Sequence, residues 1–393
     1  MNLSPFETNS VLVADSEATF RAALSIGIRK TRRNIARLAD EPKACTLAVN
    51  GDYFSCPEGF FEIGNWTSSF FTGMALHAFE VTKDLSFLKQ VNRMAGVYAD
   101  KIHRHGMDTM HDLGFLYSLY SVALWKITGS TEQRAIGLKA AEELAKRFVP
   151  TGEYIQAWGR MDERGTDYQS LAIIDCMMNL PLLFWASEET GNDFFRKIAI
   201  KHADTTAKCF VRSDDSVCHA FRFDPKTGAP TREDNYCGAA VGSHWARGTT
   251  WAIYGFALAH RYTSDPGYLK ISRRLARKFI SLLDPEIVPL WDFRAKPENC
   301  PIRDSSAASI AASAFYELDQ FVPDQSEYRQ IADRLLTKLC KNYLDTNESI
   351  PGLIKDAQVG EGVGRAKNAY ASWGDFYFME ALTRRLHPLP TYW

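Results

Sequence analysis

No run of about eighteen apolar residues occurs in this chain of 393 residues, so a membrane-spanning helix is not expected. No Cys-x-x-Cys pair occurs either. The eight cysteines are scattered, and in a chain this long they read as reduced thiols of a cytoplasmic protein rather than a disulfide frame. An excess of charge of one sign is also missing: 46 basic against 47 acidic residues leaves a net charge of −1, which favours neither nucleic acid nor an anionic membrane as a partner. Met1-Asn2-Leu3-Ser4-Pro5-Phe6-Glu7 lacks the basic and apolar regions of a secretory signal, so none is expected. The Gly-rich segment from Val359 to Arg365 lacks the Lys-Ser/Thr ending of a phosphate loop and reads as a rim loop, with Arg365 and Lys367 as solvated charges. His103, His105 and His111 have no Cys, Asp or Glu at a spacing that completes a metal site, so neither metal nor cofactor is expected. Aromatic residues, by contrast, are plentiful at 12%, with nine Trp. Such rings either fill a large core or line a sugar cleft.

Six segments share one layout: 65–82, 111–128, 173–190, 244–262, 304–320 and 373–386. Each opens on polar or aromatic residues and runs into small and large apolar ones. Four end alike, in Thr82-Lys83-Asp84, Thr128-Gly129-Ser130, Thr190-Gly191-Asn192 and Thr263-Ser264-Asp265, which are helix stops. The openings lie 46 to 71 residues apart, room for two helices and a loop per unit. The stretches at 17–38, 86–105, 131–148, 193–211, 267–283 and 326–344 are amphipathic, with apolar residues at i, i+3, i+4 and i+7. Oily helices alternating with half-polar ones predict an all-α fold, an (α/α)6 barrel of six helical hairpins. The whole chain, 1–393, would form one domain with its pocket where the inner helices begin. An open α-solenoid is the competing architecture; long, dissimilar loops and a stop at six units favour closure. Ser216 to Asp224 alternates and predicts a short hairpin arm.

Two aspartates interrupt the oily segments: Asp112 in Met110-His111-Asp112-Leu113-Gly114, and Asp175 in Ile173-Ile174-Asp175-Cys176-Met177. A carboxylate in such a run is paired, hydrogen-bonded or protonated. If both face one cavity, burial and mutual repulsion leave one protonated and the other ionised, the equipment for acid/base work on a sugar. Each taken alone reads more simply as a carboxylate capping a helix N-terminus. Trp66, Trp158, Trp245, Trp251 and Trp373 fall at or just before inner segments, where flat rings suit the faces of a pyranose. Arg247 points inward either as a fork for a substrate carboxylate or as the partner of a structural one. His219 is a sugar contact or a surface histidine, and Asp304 or Ser305 is an N-cap, a part Asp375 would repeat in the sixth inner helix.

Across most of its length the chain resembles the unsaturated glucuronyl hydrolases of glycoside hydrolase family eighty-eight. The resemblance rests on Asn65-Trp66-Thr67, His111-Asp112-Leu113-Gly114-Phe115-Leu116-Tyr117, Gln156-Ala157-Trp158-Gly159 and Ile174-Asp175-Cys176, followed by Asn179-Leu180-Pro181. Further pieces are Trp245-Ala246-Arg247-Gly248, Trp251-Ala252-Ile253-Tyr254-Gly255-Phe256, Leu290-Trp291-Asp292-Phe293, Arg303-Asp304-Ser305 and Trp373-Gly374-Asp375-Phe376-Tyr377. The resemblance implies an (α/α)6 barrel that removes a 4,5-unsaturated uronic acid from the non-reducing end of lyase-generated oligosaccharides. The reaction it implies is hydration of the enol ether: Asp175 protonates C4 and helps water add at C5, while Asp112 stabilises the cationic ring. Trp66, Trp158, His219, Arg247 and Trp251 match substrate-contact positions of that family, and His111 and Trp373 complete the set proposed for this chain. The implied partner is an unsaturated disaccharide or oligosaccharide, bound by a monomer or homodimer.

Three positions depart from the family pattern. Cys237 stands where a substrate-contacting glutamine is usual, Thr249-Thr250 replaces Gln-Ala, and Leu171 replaces an occasional basic residue. A different linkage or sulfation preference follows from these changes. The rivals are an unsaturated rhamnogalacturonyl or galacturonyl hydrolase on the same barrel, an ordinary inverting glycosidase acting at the anomeric carbon, and a sugar-binding barrel without turnover.

Overall fold

A computed structural model describes residues 10–38, 40–295, 302–322, 327–360, 369–389 and 391–393. Arg365, Lys367 and Cys300 lie outside the described residues. In chain order the helices are α1 (Ser10–Arg37), α2 (Ser68–Thr82), α3 (Leu85–Asn92), α4 (Ala95–Arg104), α5 (Leu113–Tyr117), α6 (Ala123–Thr128) and α7 (Thr131–Ala145). They continue with α8 (Leu180–Thr190), α9 (Asp193–Cys209), α10 (Ala246–Thr263), α11 (Pro266–Ser281), α12 (Ser305–Phe321), α13 (Glu327–Lys338) and α14 (Ser372–Leu386).

Which helices go inside follows from composition. In α10, α12 and α14 almost every residue is buried, polar ones included, because these helices meet neighbours on all sides. Helix α11 buries only Tyr268, Ser272, Leu275, Ala276 and Phe279, one stripe of an otherwise basic cylinder. The inner helices close on themselves: α2 packs on α5, α5 on α8, α8 on α10, α10 on α12, α12 on α14, and α14 back on α2. That last contact makes the fold a ring and excludes the open solenoid. Outside it, α1 and α3 lie on α2, α7 on α5 and α8, α9 on α8, α11 on α10, and α13 on α12.

One device turns the chain from the inner to the outer layer four times. Thr82, Thr128, Thr190 and Thr263 each donate a hydroxyl to the carbonyl four residues back, at 2.6–2.7 Å. The next residue, Lys83, Gly129, Gly191 or Ser264, adopts a left-handed φ between 58° and 69°. Then Asp84, Ser130, Asn192 or Asp265 donates its backbone N–H to the same Thr hydroxyl, at 3.1–3.3 Å. The side chain of that residue caps the outer helix that follows. These are the four stops visible in the sequence.

The structure also differs from expectation. The outer stretch expected over 86–105 is two helices, broken at Arg93-Met94, and the second inner helix carries a π-turn at Ser118–Val122 between α5 and α6. The hairpin arm has a third strand. The strand β4 (Leu171–Ile173) pairs antiparallel with β5 (Ala220–Phe223), which pairs with β6 (Pro230–Asp234). Earlier in the chain, β1 (Leu47–Val49), β2 (Phe148–Val149) and β3 (Tyr154–Ile155) form short ladders: β2 pairs with β3, and β1 with β7 (Ala369–Ala371) just before α14. Asp375 is not an N-cap. It lies inside the first turn of α14, where its carboxylate accepts from the backbone of Leu353 and Ile354 at 2.9 Å and from Tyr53 Oη at 2.8 Å. Asp304 is the cap of α12, accepting from Ser306 N at 3.0 Å.

Candidate active site

The two acids arrive at one place by different routes. Asp112 stands at the N-cap position of α5, yet its carboxylate makes no capping bond. Asp175 follows β4 in a 3-10 turn, Ile174–Met178, and its Oδ1 is buried without a protein partner. So neither behaves as the simple helix cap it resembles in sequence. The sheet sets the second acid against His219, because Ile173 pairs with Ala220 and Ile174 N donates to His219 O at 3.0 Å. Burial pushes Asp175 up to about 7. Burial also raises Asp112 well above the carboxylate range, and the charge of Asp175 adds to the rise, so the two acids share one electrostatic pocket. Opposing it are a hydrogen bond from Asn179 and the charge of Arg147. The charge of Arg247 and a backbone N–H pull Asp175 the same way, but Asp112 has a side-chain amide donor whereas Asp175 Oδ1 has no protein partner. That asymmetry favours a proton on Asp175 and charge on Asp112.

Arg147 is a buried cation with no carboxylate partner among the described residues. Its guanidinium donates to five carbonyls: Thr109, Gln156, Ala157, Trp158 and Gly159. It thereby shapes the segment that carries Trp158 and the loop leading into His111. His111 is buried, its backbone N–H donating to Ala157 O at 3.0 Å and its Nε2 lying 3.4 Å from Asp112 Oδ1. Burial, with the nearby Arg147 charge, holds its imidazole neutral at ordinary pH. Nδ1 has no protein partner.

His219 is buried rather than on the surface. Its Nδ1 accepts from the backbone N–H of Tyr236 at 2.9 Å and of Cys237 at 3.2 Å, which leaves the proton of the neutral ring on Nε2. Burial, reinforced by Arg247, lowers its pKa to about 3. The structure gives Arg247 the carboxylate partner that the sequence left open: Nη1 donates to Asp304 Oδ2 at 3.0 Å and to Gln358 O, and Nη2 to Val359 O at 2.7 Å. Its guanidinium also lies over Trp245 and Trp373, at 4.5 and 5.0 Å from their ring centroids.

The tryptophans divide into walls and floor. Trp66 and Trp158 keep some exposed surface. Trp66 stacks on Trp373 at 5.1 Å, and Trp158 leans on Tyr236 at 4.9 Å. Trp158 also borders a cavity of about 330 Å³ with Met110, Arg160 and Tyr168. Trp251 and Trp373 are fully buried, and neither indole N–H has a protein partner. They form the floor.

The departures from the family pattern have physical consequences. Thr249 and Thr250 turn their hydroxyls back onto α10, to Trp245 O at 3.2 Å and Arg247 O at 2.7 Å, so both are engaged within the helix. Leu171 packs with Ala157 and Ala220 beneath Trp158. The Cys237 thiol sits against Arg247, and burial pushes it up to about 12.

Sequence reading missed two side chains. Arg147, just beyond α7, looks like a charge complementing the end of a helix; only the fold brings five carbonyls around it. Asn179 reads as a cap of α8. Its side chain makes no capping bond and instead accepts from Phe115 N at 2.8 Å and donates to Asp175 O at 3.3 Å. Among the described residues no cluster of three or more His, Cys, Asp or Glu side chains is placed to hold a metal ion.

With this geometry in place, comparison with known proteins is direct. The Glycosyl Hydrolase Family 88 pattern matches residues 58–387. An unsaturated glucuronyl hydrolase of Bacillus sp. (strain GL1) is 34% identical over 334 residues, 84% of this chain and 88% of that protein. An unsaturated chondroitin disaccharide hydrolase of Streptococcus pyogenes serotype M1 is 35% identical over 389 residues, 96% of this chain and 94% of that one. The crystal structure of the Bacillus sp. GL1 unsaturated glucuronyl hydrolase superposes with a TM-score of 0.87 at 31% identity, covering 95% of this chain and 98% of the other. The chain belongs to Glycosyl Hydrolase Family 88, and it is a glycoside hydrolase.

Proposed function

We propose that this enzyme removes a 4,5-unsaturated uronic acid from the non-reducing end of short oligosaccharides by hydrating its double bond. One observation carries the reading: two carboxyl groups from different hairpins lie close enough for the charge of Asp175 to raise the pKa of Asp112, and Asp112 has a side-chain amide donor whereas Asp175 Oδ1 has no protein partner. Protonating a vinyl ether needs a neutral acid, and the oxocarbenium ion that follows needs a nearby anion. Asp175 gives its proton to C4, which breaks the C4–C5 π bond and leaves the cation shared between C5 and the ring oxygen. Asp112 stabilises that cation. Water adds at C5, and its proton returns to the Asp175 carboxylate. The hemiketal so formed opens at its C5–ring oxygen bond, and the hemiacetal left at C1 releases the remaining saccharide.

The other candidate residues take supporting parts. His219 offers Nε2–H to sugar hydroxyls, and the sugar rings lie against Trp66 and Trp158. Arg247 has three of its five N–H donors engaged, so it contributes mainly positive charge toward the substrate carboxylate. His111 steadies Asp112, and Trp251 and Trp373 shape the floor. The names of the relatives support this substrate class, as does a related structure, 30% identical, that carries dGlcA-Glc-Rha-Glc. No described helix is long and apolar enough to cross a membrane. The seven described cysteines are free, which supports a reducing, cytoplasmic setting.

The test follows the ultraviolet absorbance of unsaturated uronides from several lyase digests. The wild-type enzyme should abolish it and Asp175→Asn should not. In heavy-oxygen water the label should appear at C5 of the released keto acid. Label at C1 of the released uronate with C5 unlabelled, or full activity of Asp175→Asn, overturns the mechanism.

A further inference from the structure

The two acids sit on different hairpins, so neither acid's own helix sets the distance between them. We propose that Asn179 is the positioning residue of this site, a single amide that ties the Asp112 carboxyl to the backbone carrying Asp175. The inference rests on the acid/base reading given above. Asn179 is fully buried, and its orientation is fixed because Oδ1 accepts from Phe115 N at 2.8 Å, at the start of α5. Nδ2 then faces the acids: it donates to Asp175 O at 3.3 Å, and the amide is near enough to the Asp112 carboxyl to favour its charged form. The oxygen and one N–H are committed, to the start of α5 and to the backbone of Asp175, which leaves the second N–H for the Asp112 side. Backbone fit supports the same role. A Cβ on Gly114 would lie 2.4 Å from Asn179 Cα and 2.7 Å from its Oδ1, so only glycine lets α5 come close enough for the amide to reach both acids. No other side chain of this size serves all three partners at neutral pH. Leucine would orphan Phe115 N–H, and aspartate would set a second negative charge beside that of Asp112.

The experiment uses the full-length enzyme with Asn179→Ala and Asn179→Asp. Carboxyl titrations are read by carbon-13 NMR without substrate, with the Asp112 signal assigned through Asp112→Asn. Rates on an unsaturated disaccharide are then measured across pH. In Asn179→Ala the Asp112 titration should move to higher pH. Its kcat should fall roughly 10–100-fold, the scale of a lost hydrogen bond to a charged group, with KM changed by less than about threefold. Asn179→Asp keeps the acceptor for Phe115 N–H and the side-chain volume, so it carries the test if the alanine variant does not fold. It should be slow at neutral pH and recover as the medium is acidified, because the introduced carboxyl becomes a donor once protonated. An unmoved Asp112 titration, an unchanged kcat, or an Asn179→Asp pH profile parallel to wild type overturns the proposal. If the wild-type enzyme leaves unsaturated uronides intact, the reaction reading fails while the titration result still decides the role of Asn179.

Discussion

Asp175 occupies a position that penalises its own ionisation, and this has a consequence for stability. Its folded-state pKa of about 7 lies above the ordinary 3.8, so between those values the folded protein holds a proton that the unfolded chain releases. The stabilisation this brings is complete below about pH 4 and is lost as pH rises through about 7. Asparagine carries no charge to desolvate. The melting temperature of Asp175→Asn should therefore match wild type near pH 4 and exceed it at about pH 8, as thermal denaturation across that range would show. A gap that stays constant with pH would mean the burial of Asp175 costs nothing. Asp112 and Asp175 were legible in the sequence because a carboxylate amid Ile, Leu, Met and Phe contradicts its surroundings. Asn179 and Arg147 were not, since neither contradicts its local segment. Their roles come from Phe115 N–H and from the carbonyls of residues 156–159, which only the folded chain brings near.

Among the elements, the inner helices were easiest to recognise, because burial on every face fills the segment with small and large apolar residues and leaves few charges. Their four stops were equally plain, and the structure adds why they work: one Thr hydroxyl serves both the helix that ends and the turn that follows. Features set by distant packing were hidden, among them the break at Arg93-Met94, the π-turn at 118–122 and the third strand against the arm. The stops also make a clean test. Gly191 has a φ of +68°, and no atom lies within 4 Å of where a Cβ would be, so alanine there meets strain without crowding. Gly191→Ala should cost about 1 kcal/mol, the price of placing an L-residue in the left-handed region. Chemical denaturation measures it, and activity should not change because the turn is at the far end of α8 from Asp175. A loss above about 3 kcal/mol would instead point to crowding in place of backbone strain.

Over the whole molecule, a column of aromatic rings decides that the barrel is a cup and not a channel. Trp66 at the wall stacks on Trp373 of the floor; Phe115 meets Trp251 at 5.4 Å, and Trp251 meets Tyr377 at 5.3 Å. At the base, Trp393 stacks on Tyr377 at 6.0 Å and 8°, while its Nε1 donates to Glu380 at 2.8 Å. Tyr392 beside it stacks on His77 and donates its hydroxyl to Glu80 at 2.6 Å. The six-fold repeat gave no hint of this plug, because Tyr392 and Trp393 lie outside the periodic segments. Trp393→Ala removes a ring that is 1% exposed and leaves Glu380 Oε1 without its donor. The variant should lose about 3–5 kcal/mol, read by calorimetry or denaturant titration. Trp393→Phe should recover part of that loss, since it restores the stacking and lacks the N–H. Below the melting transition both variants should keep kcat within about threefold, because no polar atom of Trp393 reaches the acid pair and a lost packing contact at the base removes nothing made only in the transition state. A collapse of kcat in a still-folded Trp393→Phe variant would show that the column transmits base packing to the acids, and that floor and chemistry are one mechanical unit.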